Sequence, residues 1–324
     1  MISFFNMDTS KIEIVACTDK WCVMPLGVMI LSVCVNNPDV TITFHILHDD
    51  SVSDKDRCDL EDIIAGFKGN TIAFYAVDLT KFPCLHKVQS KSTYYRLFLS
   101  ELLPPIPKVL YLDADIIVRH SLMTLWNTDI KDSAVGVVPD GLEGTKEFYD
   151  RLGYPSRFGY FNAGVMLINL NYWRSHDLVT LFIDYLQKNA RKLLLADQDI
   201  LNYIVKDCKI SLPIIYNLTS GFLWKKPKYD YRKYEKEVLE ARKDPVILHF
   251  AGYQPWIAYS KQQVHPFASS FFKYQNMTKW KGCNIDKRSY FMRVKDFVGE
   301  LLRLFRLRSP HIVLDVFIDI APID

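Results

Sequence analysis

The sequence lacks the patterns that mark several common kinds of binding site. Neither a GxGxxG turn nor a GxxxxGK(S/T) loop occurs in its 324 residues, which disfavours a Rossmann dinucleotide site and a P-loop. No apolar run approaches the ~20 residues that a membrane-spanning helix needs. The 40 Lys and Arg residues nearly balance the 37 Asp and Glu residues, so the net charge of +3 does not favour nucleic acid as a partner. If a nucleotide binds, something other than a glycine-rich loop must neutralise its phosphates, and a metal ion held by carboxylates is the obvious substitute.

The seven cysteines do not form a recognisable site either. Their number is odd, they are scattered along the chain and no CxxC pair occurs, so we expect reduced thiols and no structural zinc site. The first residues carry neither the cationic start nor the apolar core of a signal peptide. We therefore expect a cytoplasmic chain, in which the sequons at Asn217 and Asn276 carry little meaning as glycosylation sites.

The composition is that of a folded α/β domain, with 49 % hydrophobic and 24 % charged residues. Short β-branched runs alternate with stretches of helical composition, an order that predicts right-handed βαβ units and a mainly parallel sheet. The predicted strands are residues 11–17, 40–47, 71–77 and 108–112, and the predicted helices are residues 24–35, 53–67 and 93–103. Ligands bind such sheets beyond the carboxyl ends of the strands, so the residues there are the candidates for chemistry.

An Asp-x-Asp triplet follows the fourth predicted strand. Asp113 and Asp115 stand between the apolar runs 108–112 and 116–118, where buried charges are costly unless they hold a cation or are fully hydrogen-bonded. Two carboxylates suit a divalent metal ion that also binds phosphate oxygens. On spacing alone, a capped turn between two core strands is an equally good interpretation.

Six short blocks together carry a more specific signal than any single motif. They are Tyr95–Leu97, Lys108–Asp115, Tyr160–Asn169, Asp197–Asn202, His249–Gly252 and Pro255–Trp256. In this order, over roughly residues 11 to 256, they resemble glycosyltransferase family 8, and most of all the bacterial lipopolysaccharide α-glucosyl- and α-galactosyltransferases. The resemblance implies a nucleotide-binding fold of the GT-A type and a metal-dependent retaining enzyme. Such an enzyme moves glucose or galactose from a UDP-sugar to a saccharide or lipid-linked acceptor in the synthesis of lipopolysaccharide or another envelope glycan.

The resemblance also implies a metal site. In the family the Asp-x-Asp pair and a late histidine hold Mn²⁺ on the diphosphate of the donor, which makes Asp113, Asp115 and His249 the expected ligands here. A mixed set of carboxylates and imidazole suits manganese better than magnesium, and Mg²⁺ is the alternative. Without the resemblance, His249 would be interpreted as an ordinary histidine at the end of a strand.

The resemblance further implies a set of residues that bind the donor. They are Asp19, Trp21, Arg96, Asp113, Ala114, Asn162, Ala163, Gly252 and Gln254. Trp21 offers a surface on which uracil can stack. From the residues alone, the alternative for Arg96 is a helix arginine that reaches solvent.

The implied catalytic residues are Asp140, Asp197 and Gln198. A double displacement would need a carboxylate near the anomeric carbon, but the matching position holds the amide of Gln198, which is a poor nucleophile. We therefore expect a front-face displacement in which the leaving UDP helps to deprotonate the acceptor. The other interpretations are a plain turn for Asp140 and a helix cap for Asp197.

The sequence departs from the family pattern in two places. Gln254 stands where a lysine usually contacts the diphosphate, and Thr18 and Lys20 replace an acid and an amide that commonly contact the nucleoside. Lysines at 225, 226 and 228 are candidates to supply the missing cation. The first alternative function is therefore a catalytically weakened relative that binds sugar nucleotide or glycan without turnover. A metal-dependent phosphodiesterase or nuclease is the second, which the ordered blocks disfavour.

We predict two parts of the chain, a catalytic domain over residues 1–260 and a basic amphipathic extension over residues 261–324. Residues 281–308 carry eight basic against three acidic side chains, a net +5, with apolar residues at helical spacing. This pattern is typical of a helix on anionic lipid and predicts a peripheral position on the inner face of the cytoplasmic membrane. An amphipathic helix packed on the catalytic domain is the alternative.

Overall fold

The computed structural model describes residues 11–78, 91–141, 146–223, 232–252, 254–257 and 265–285, together with Val298 and Phe305. The strands are β1 (Lys11–Thr18), β2 (Thr41–His48), β3 (Thr71–Ala76), β4 (Lys108–Leu112), β5 (Ile116–Val118), β6 (Val135–Pro139), β7 (Phe161–Asn169), β8 (Lys209–Ser211), β9 (Leu218–Thr219) and β10 (Ile247–His249). The α-helices are α1 (Val23–Asn36), α2 (Asp54–Ile64), α3 (Leu99–Leu102), α4 (Met123–Trp126), α5 (Lys146–Leu152), α6 (Leu170–Ser175), α7 (Leu178–Asn189), α8 (Ala196–Ile204), α9 (Glu235–Lys243) and α10 (Ala268–Gln275).

Seven strands form the main sheet, in the order β3-β2-β1-β4-β7-β6-β8. Neighbouring strands are parallel except around β7, which runs antiparallel to both β4 and β6. The four strands expected in the first third of the chain are β1 to β4. The predicted α/β fold with a mainly parallel sheet is therefore confirmed.

The antiparallel direction of β7 brings its first residues to the edge where the other strands end. Val138 near the end of β6 pairs with Asn162, and Leu112 at the end of β4 pairs with Val165. The register of β6 on β7 shifts between Val137 and Val138. Residues from three strands therefore meet at this one edge.

A second, smaller sheet has the order β5-β10-β9. β10 runs antiparallel to β5, with His249 opposite Ile116, and parallel to β9. The backbone N–H of Phe250 donates to the carbonyl of Asp115 over 2.9 Å. Because β5 begins directly after Asp115, this pairing carries the end of β10 to the turn that holds the two aspartates, although the segments are far apart in the chain.

The two helices predicted first lie close to where they were expected. α1 covers the stretch predicted at 24–35, and α2 begins after a capping box in which Ser53 and Asp56 each accept a hydrogen bond from the backbone of the other. The single helix predicted over residues 93–103 is wrong, because Ser92–Phe98 form a 3₁₀ helix before the short α3. The side chains of 94–98 are all buried, so this segment has no solvent face from which a helical period could be read.

Residues 265–285 pack against α1. The side-chain amide of Asn36 donates to the hydroxyl of Tyr274 over 2.7 Å. A Cβ on Gly27 would lie 2.3 Å from the ring of Trp280, so the helix needs glycine there to admit the indole. Tyr274 and Trp280 thus contact α1, and the domain boundary expected near residue 260 stays a prediction.

A basic helix was expected over residues 281–308. Of this stretch, the structure describes only residues 281–285, Val298 and Phe305. In the part of the chain that the structure describes, no helix has the length and apolar character needed to cross a membrane.

Candidate active site

Asp113, Asp115 and His249 converge at the junction of the two sheets. The two aspartates flank the turn between β4 and β5, and His249 is the last residue of β10. One ligand atom from each lies within 4.8 Å of the others. The Nε2 atom of His249 is 3.1 Å from Oδ1 of Asp115 and 3.9 Å from Oδ2 of Asp113. The histidine side chain is buried, whereas the aspartates stay 23 % and 19 % exposed, so their oxygens are open to a ligand.

Strand β7 passes directly behind this cluster and has a glycine, Gly164, at the point of contact. A Cβ on Gly164 in β7 would lie 2.2 Å from Cε1 of His249 and 2.8 Å from Oδ2 of Asp113. Any larger residue would therefore fill the space in which the two side chains face each other. Two carboxylates and an imidazole around such a space are a donor set that fits a divalent cation.

The cluster is also coupled electrostatically. Burial raises the pKa of Asp115, but the charge of His249 and its hydrogen bond outweigh this effect and lower it. Burial lowers the pKa of His249, but the carboxylates of Asp115 and Asp113 outweigh this effect and raise it. The two aspartates and the histidine therefore stabilise one another's charged forms.

Arg96 connects this cluster to Asp197. Its Nη2 donates to Oδ1 of Asp113 over 2.8 Å, its Nη1 donates to the carbonyl of Ala163 over 2.7 Å, and its Nε lies 3.0 Å from Oδ2 of Asp197. The hydroxyl of Tyr111 donates to the same oxygen of Asp113 over 2.8 Å. The alternative of a solvent-reaching helix arginine is wrong, because Arg96 is only 5 % exposed.

Asp197 lies in the first turn of α8 and is buried. Burial raises its pKa to about 6, with a further upward contribution from Asp113, although Arg96 acts in the opposite direction. The alternative of a helix cap is wrong for this residue. The N-cap of α8 is Leu195, and the carboxylate that accepts from the backbone N–H of Leu195 is that of Asp199. Asp197 faces Arg96 instead.

Asp140, Asn162 and Gln198 form a hydrogen-bonded group next to this ion pair. Nε2 of Gln198 donates to Oδ2 of Asp140 over 2.9 Å, and Nδ2 of Asn162 donates to the same oxygen over 3.2 Å. Oε1 of Gln198 accepts from the backbone N–H of Ala163 over 3.0 Å. All of these amides have fixed orientations, because a backbone donor and a carboxylate acceptor define their two ends. Asp140 is buried and accepts hydrogen bonds from both amides. A residue that only closes a turn would need neither the burial nor these bonds.

A cavity of about 190 Å³ opens beside the aspartates. Its lining includes Trp21, Arg96, Ala114, Gln254 and Trp256. Trp21 is 48 % exposed, and its backbone N–H donates to Asp19 over 2.9 Å. A larger cavity of about 920 Å³ lies at the other end of β4, around Lys108 and Asp129, away from the clustered ligands.

Gln254 lies next to the cluster, in the lining of the smaller of these two cavities. Its Nε2 donates to Oδ2 of Asp115 over 3.2 Å, so the amide contacts a carboxylate of the cluster. Gly252, two residues earlier, has φ of +80°, a conformation that favours glycine. The lysines at 225, 226 and 228 lie outside the described residues.

The geometry agrees with the comparisons to known proteins. The sequence model of glycosyl transferase family 8 matches residues 13–259. This chain belongs to that family.

Its relatives include enzymes of known sugar chemistry. This family 8 glycosyltransferase is 31 % identical to a lipopolysaccharide 1,2-glucosyltransferase of Escherichia coli, over 79 % of this chain and 75 % of the relative. It is 28 % identical to general stress protein A of Bacillus subtilis, over 83 % of this chain and 94 % of the relative. Among solved structures, the galactosyltransferase LgtC in complex with donor and acceptor sugar analogues is similar, with 27 % identity and a TM-score of 0.72. That match covers 88 % of this chain and 100 % of LgtC, and the expected GT-A type fold is therefore confirmed.

Sequence reasoning overlooked Asn217 as a residue of this glycosyltransferase's site. The sequence presented it as the first residue of a sequon, yet its side chain is fully buried and its Oδ1 lies 3.0 Å from Nδ1 of His249. Gly164 and the hydroxyl of Tyr111 were overlooked as well. The blocks that carried the resemblance contain both residues, but only their three-dimensional proximity to Asp113 gives them a role.

Gly164→Ala tests whether the cluster is a metal site that needs this glycine. We expect Mn²⁺ binding to weaken by about tenfold or more, because the new methyl group displaces His249 or Asp113. Titration of free Mn²⁺ by electron paramagnetic resonance measures the affinity. The control is Gly136→Ala in β6, where the nearest atom to a new Cβ is a leucine methyl at 3.3 Å. Wild-type Mn²⁺ affinity in Gly164→Ala would contradict this assignment.

Proposed function

We propose that this chain is a metal-dependent retaining hexosyltransferase, which moves glucose or galactose from a UDP-sugar to a saccharide acceptor. The cluster of Asp113, Asp115 and His249 beside the buried Arg96 is the observation that carries the proposal. Membership of family 8 and the similarity to LgtC support it. The lipopolysaccharide glucosyltransferase among the relatives favours an acceptor in lipopolysaccharide or another envelope glycan.

In the proposed complex, the nucleoside lies against Trp21 and the diphosphate lies over the aspartates. Asp113, Asp115 and His249 would hold Mn²⁺, with Mg²⁺ as the alternative. The bound cation would supply positive charge that stabilises the diphosphate as it leaves. The hexose would lie beside the metal cluster, at the same edge of the main sheet. Carboxylate and amide groups would face its hydroxyls there, from Asp140, Asn162, Asp197 and Gln198.

The side chains at the sugar end favour a front-face mechanism. A covalent double displacement needs a free carboxylate at the anomeric carbon. Gln198 is an amide, Asp197 is paired with Arg96, and Asp140 accepts two amide hydrogen bonds through one oxygen. In the mechanism we propose, the acceptor oxygen bonds to the anomeric carbon on the face from which UDP departs. The bond from that carbon to the diphosphate breaks, and a diphosphate oxygen takes the acceptor's proton.

A second candidate function rests on Gln254. A neutral amide on Asp115 adds no positive charge to a diphosphate, which would weaken donor binding. A relative that binds sugar nucleotide or glycan without turnover is therefore the alternative. The phosphodiesterase interpretation is disfavoured by the family to which the chain belongs.

Release of UDP from a panel of UDP-sugars, without an acceptor, tests the proposed reaction. We expect slow hydrolysis of UDP-glucose or UDP-galactose with Mn²⁺ and none with a chelator. Hydrolysis that persists in chelator would contradict metal dependence. Tight Mn²⁺-dependent UDP binding without turnover of any UDP-sugar, and without gain of turnover when saccharide acceptors are added, would favour the non-catalytic alternative.

Asp115→Asn tests the metal ligand within the same assay. We expect kcat/KM to fall by about a hundredfold or more, because the amide removes one of the charges that would hold the cation. The matched control is Asp129→Asn, whose side chain is 72 % exposed at the far end of β4. Equal donor turnover and equal Mn²⁺-dependent UDP affinity in Asp115→Asn and the wild type would remove Asp115 from the site.

We also propose that residues 281–308 hold the enzyme on the inner face of the cytoplasmic membrane, close to a lipid-linked acceptor. The net charge of +5 in that stretch supports the idea. In the full chain, Arg303→Glu together with Arg306→Glu is expected to abolish co-sedimentation with vesicles of phosphatidylglycerol. Vesicles of phosphatidylcholine are the control surface. Equal co-sedimentation of the variant and the wild type would exclude this role for the basic stretch.

A further inference from the structure

A chain of hydrogen bonds runs from the backbone of β7 to the ring of His249. The N–H of Gly164 donates to Oδ1 of Asn162 over 2.9 Å. Nδ2 of Asn217 donates to the same oxygen over 2.9 Å. Oδ1 of Asn217 then lies 3.0 Å from Nδ1 of His249. Asn162, Asn217 and His249 are all buried, so water does not replace these bonds readily.

The direction of every bond in this chain follows from its first member. A backbone N–H can only donate, so the atom of Asn162 that faces Gly164 must be its oxygen. That oxygen can only accept, so Asn217 must present its NH₂ group to Asn162. The other end of the Asn217 amide is therefore its oxygen, and it faces Nδ1 of His249. An oxygen there requires a proton on Nδ1.

The other nitrogen of the ring points toward the aspartates. Nε2 lies 3.1 Å from Oδ1 of Asp115 and 3.9 Å from Oδ2 of Asp113, close enough for all three atoms to bind one cation. With a proton held on Nδ1, Nε2 is the nitrogen that releases its own proton and offers its lone pair when a cation binds. Hydrogen bonds of this kind on the second ring nitrogen orient histidine ligands in metal sites and raise their basicity.

We propose that Asn217 is a positioning residue, which fixes His249 with Nε2 available to the metal ion and takes its own orientation from the Gly164 N–H through Asn162. This inference rests on the metal dependence of the proposed function. Asn162 also donates to Asp140 and to Gln198, over 3.2 and 3.3 Å. The same residue therefore orders the sugar end of the site and, through Asn217, the metal end.

The affinity for Mn²⁺ alone, measured by electron paramagnetic resonance, tests the proposal. Asn217→Leu keeps the size of the side chain but removes the acceptor, and we expect Mn²⁺ binding to weaken by about 10- to 100-fold. Asn217→Asp keeps an oxygen toward Nδ1 but loses the NH₂ that donates to Asn162, so we expect its Mn²⁺ affinity to lie above that of Asn217→Leu. The control for loss of a buried asparagine is Asn37→Leu, which removes hydrogen bonds to Val33 and Leu122. It is expected to lower thermal stability without changing Mn²⁺ affinity.

The wild-type protein offers a second measurement that does not depend on a variant folding. With ¹⁵N-labelled histidine and saturating Mg²⁺, which is diamagnetic, nuclear magnetic resonance reports which ring nitrogen of His249 carries the proton. We expect a proton on Nδ1 only, with the signal assigned by its loss in His249→Gln. A proton on Nε2 would overturn the proposal, as would wild-type Mn²⁺ affinity in Asn217→Leu.

The outcomes separate this inference from the proposed function. Asn217-dependent Mn²⁺ binding without turnover of any UDP-sugar would leave the inference standing and contradict the transferase activity. Metal-dependent turnover with Mn²⁺ affinity unaffected by Asn217→Leu would overturn the inference alone. Absence of Mn²⁺ and Mg²⁺ binding in the wild type would overturn both.

Discussion

The carboxylates of Asp113 and Asp115 lie side by side at the junction of two sheets, and their mutual repulsion has to be offset for the chain to fold around them. Arg96 lies 2.8 Å from Asp113, and His249 lies 3.1 Å from Asp115. The two counter-charges come from different segments, the 3₁₀ helix before α3 and the end of β10. The carboxylates that these two groups stabilise are the ones that would bind a cation, and a cation bound there would take the place of the proton between His249 and Asp115.

Burying Arg96 has its own consequence for the sugar end of the site. A guanidinium that is 5 % exposed needs partners on several sides, and it finds them in Asp113, Asp197 and the carbonyl of Ala163. The ion pair with Arg96 thereby fixes the carboxylate of Asp197 at this edge of the sheet. Next to it the amides of Asn162 and Gln198 are fixed by backbone groups and by Asp140, so the whole surface is pre-organised for a polar ligand.

The local parts of this arrangement could be predicted from the sequence, and the non-local parts could not. β1 to β4, α1 and the Ser53 capping box follow from periodicity and cap chemistry that act over a few residues. The ligand set of Asp113, Asp115 and His249 came from the family resemblance, and the structure brings those three side chains together.

The roles of Asn217 and Gly164 depend on strand pairings between distant segments. No local pattern indicates that β10 pairs with β9 and β5, or that β7 runs antiparallel between β4 and β6. The 3₁₀ helix at Ser92–Phe98 escaped prediction for a related reason, since the side chains of residues 94–98 are all buried and show no helical period.

Anomalous diffraction at the manganese absorption edge is the most direct test of the central claim, that three side chains hold a divalent cation on a nucleotide diphosphate. The crystals would contain the full chain with Mn²⁺ and UDP. We expect one strong peak within bonding distance of Asp113, Asp115 and Nε2 of His249, and in contact with the diphosphate. A structure with UDP bound and no manganese between these three residues would contradict it.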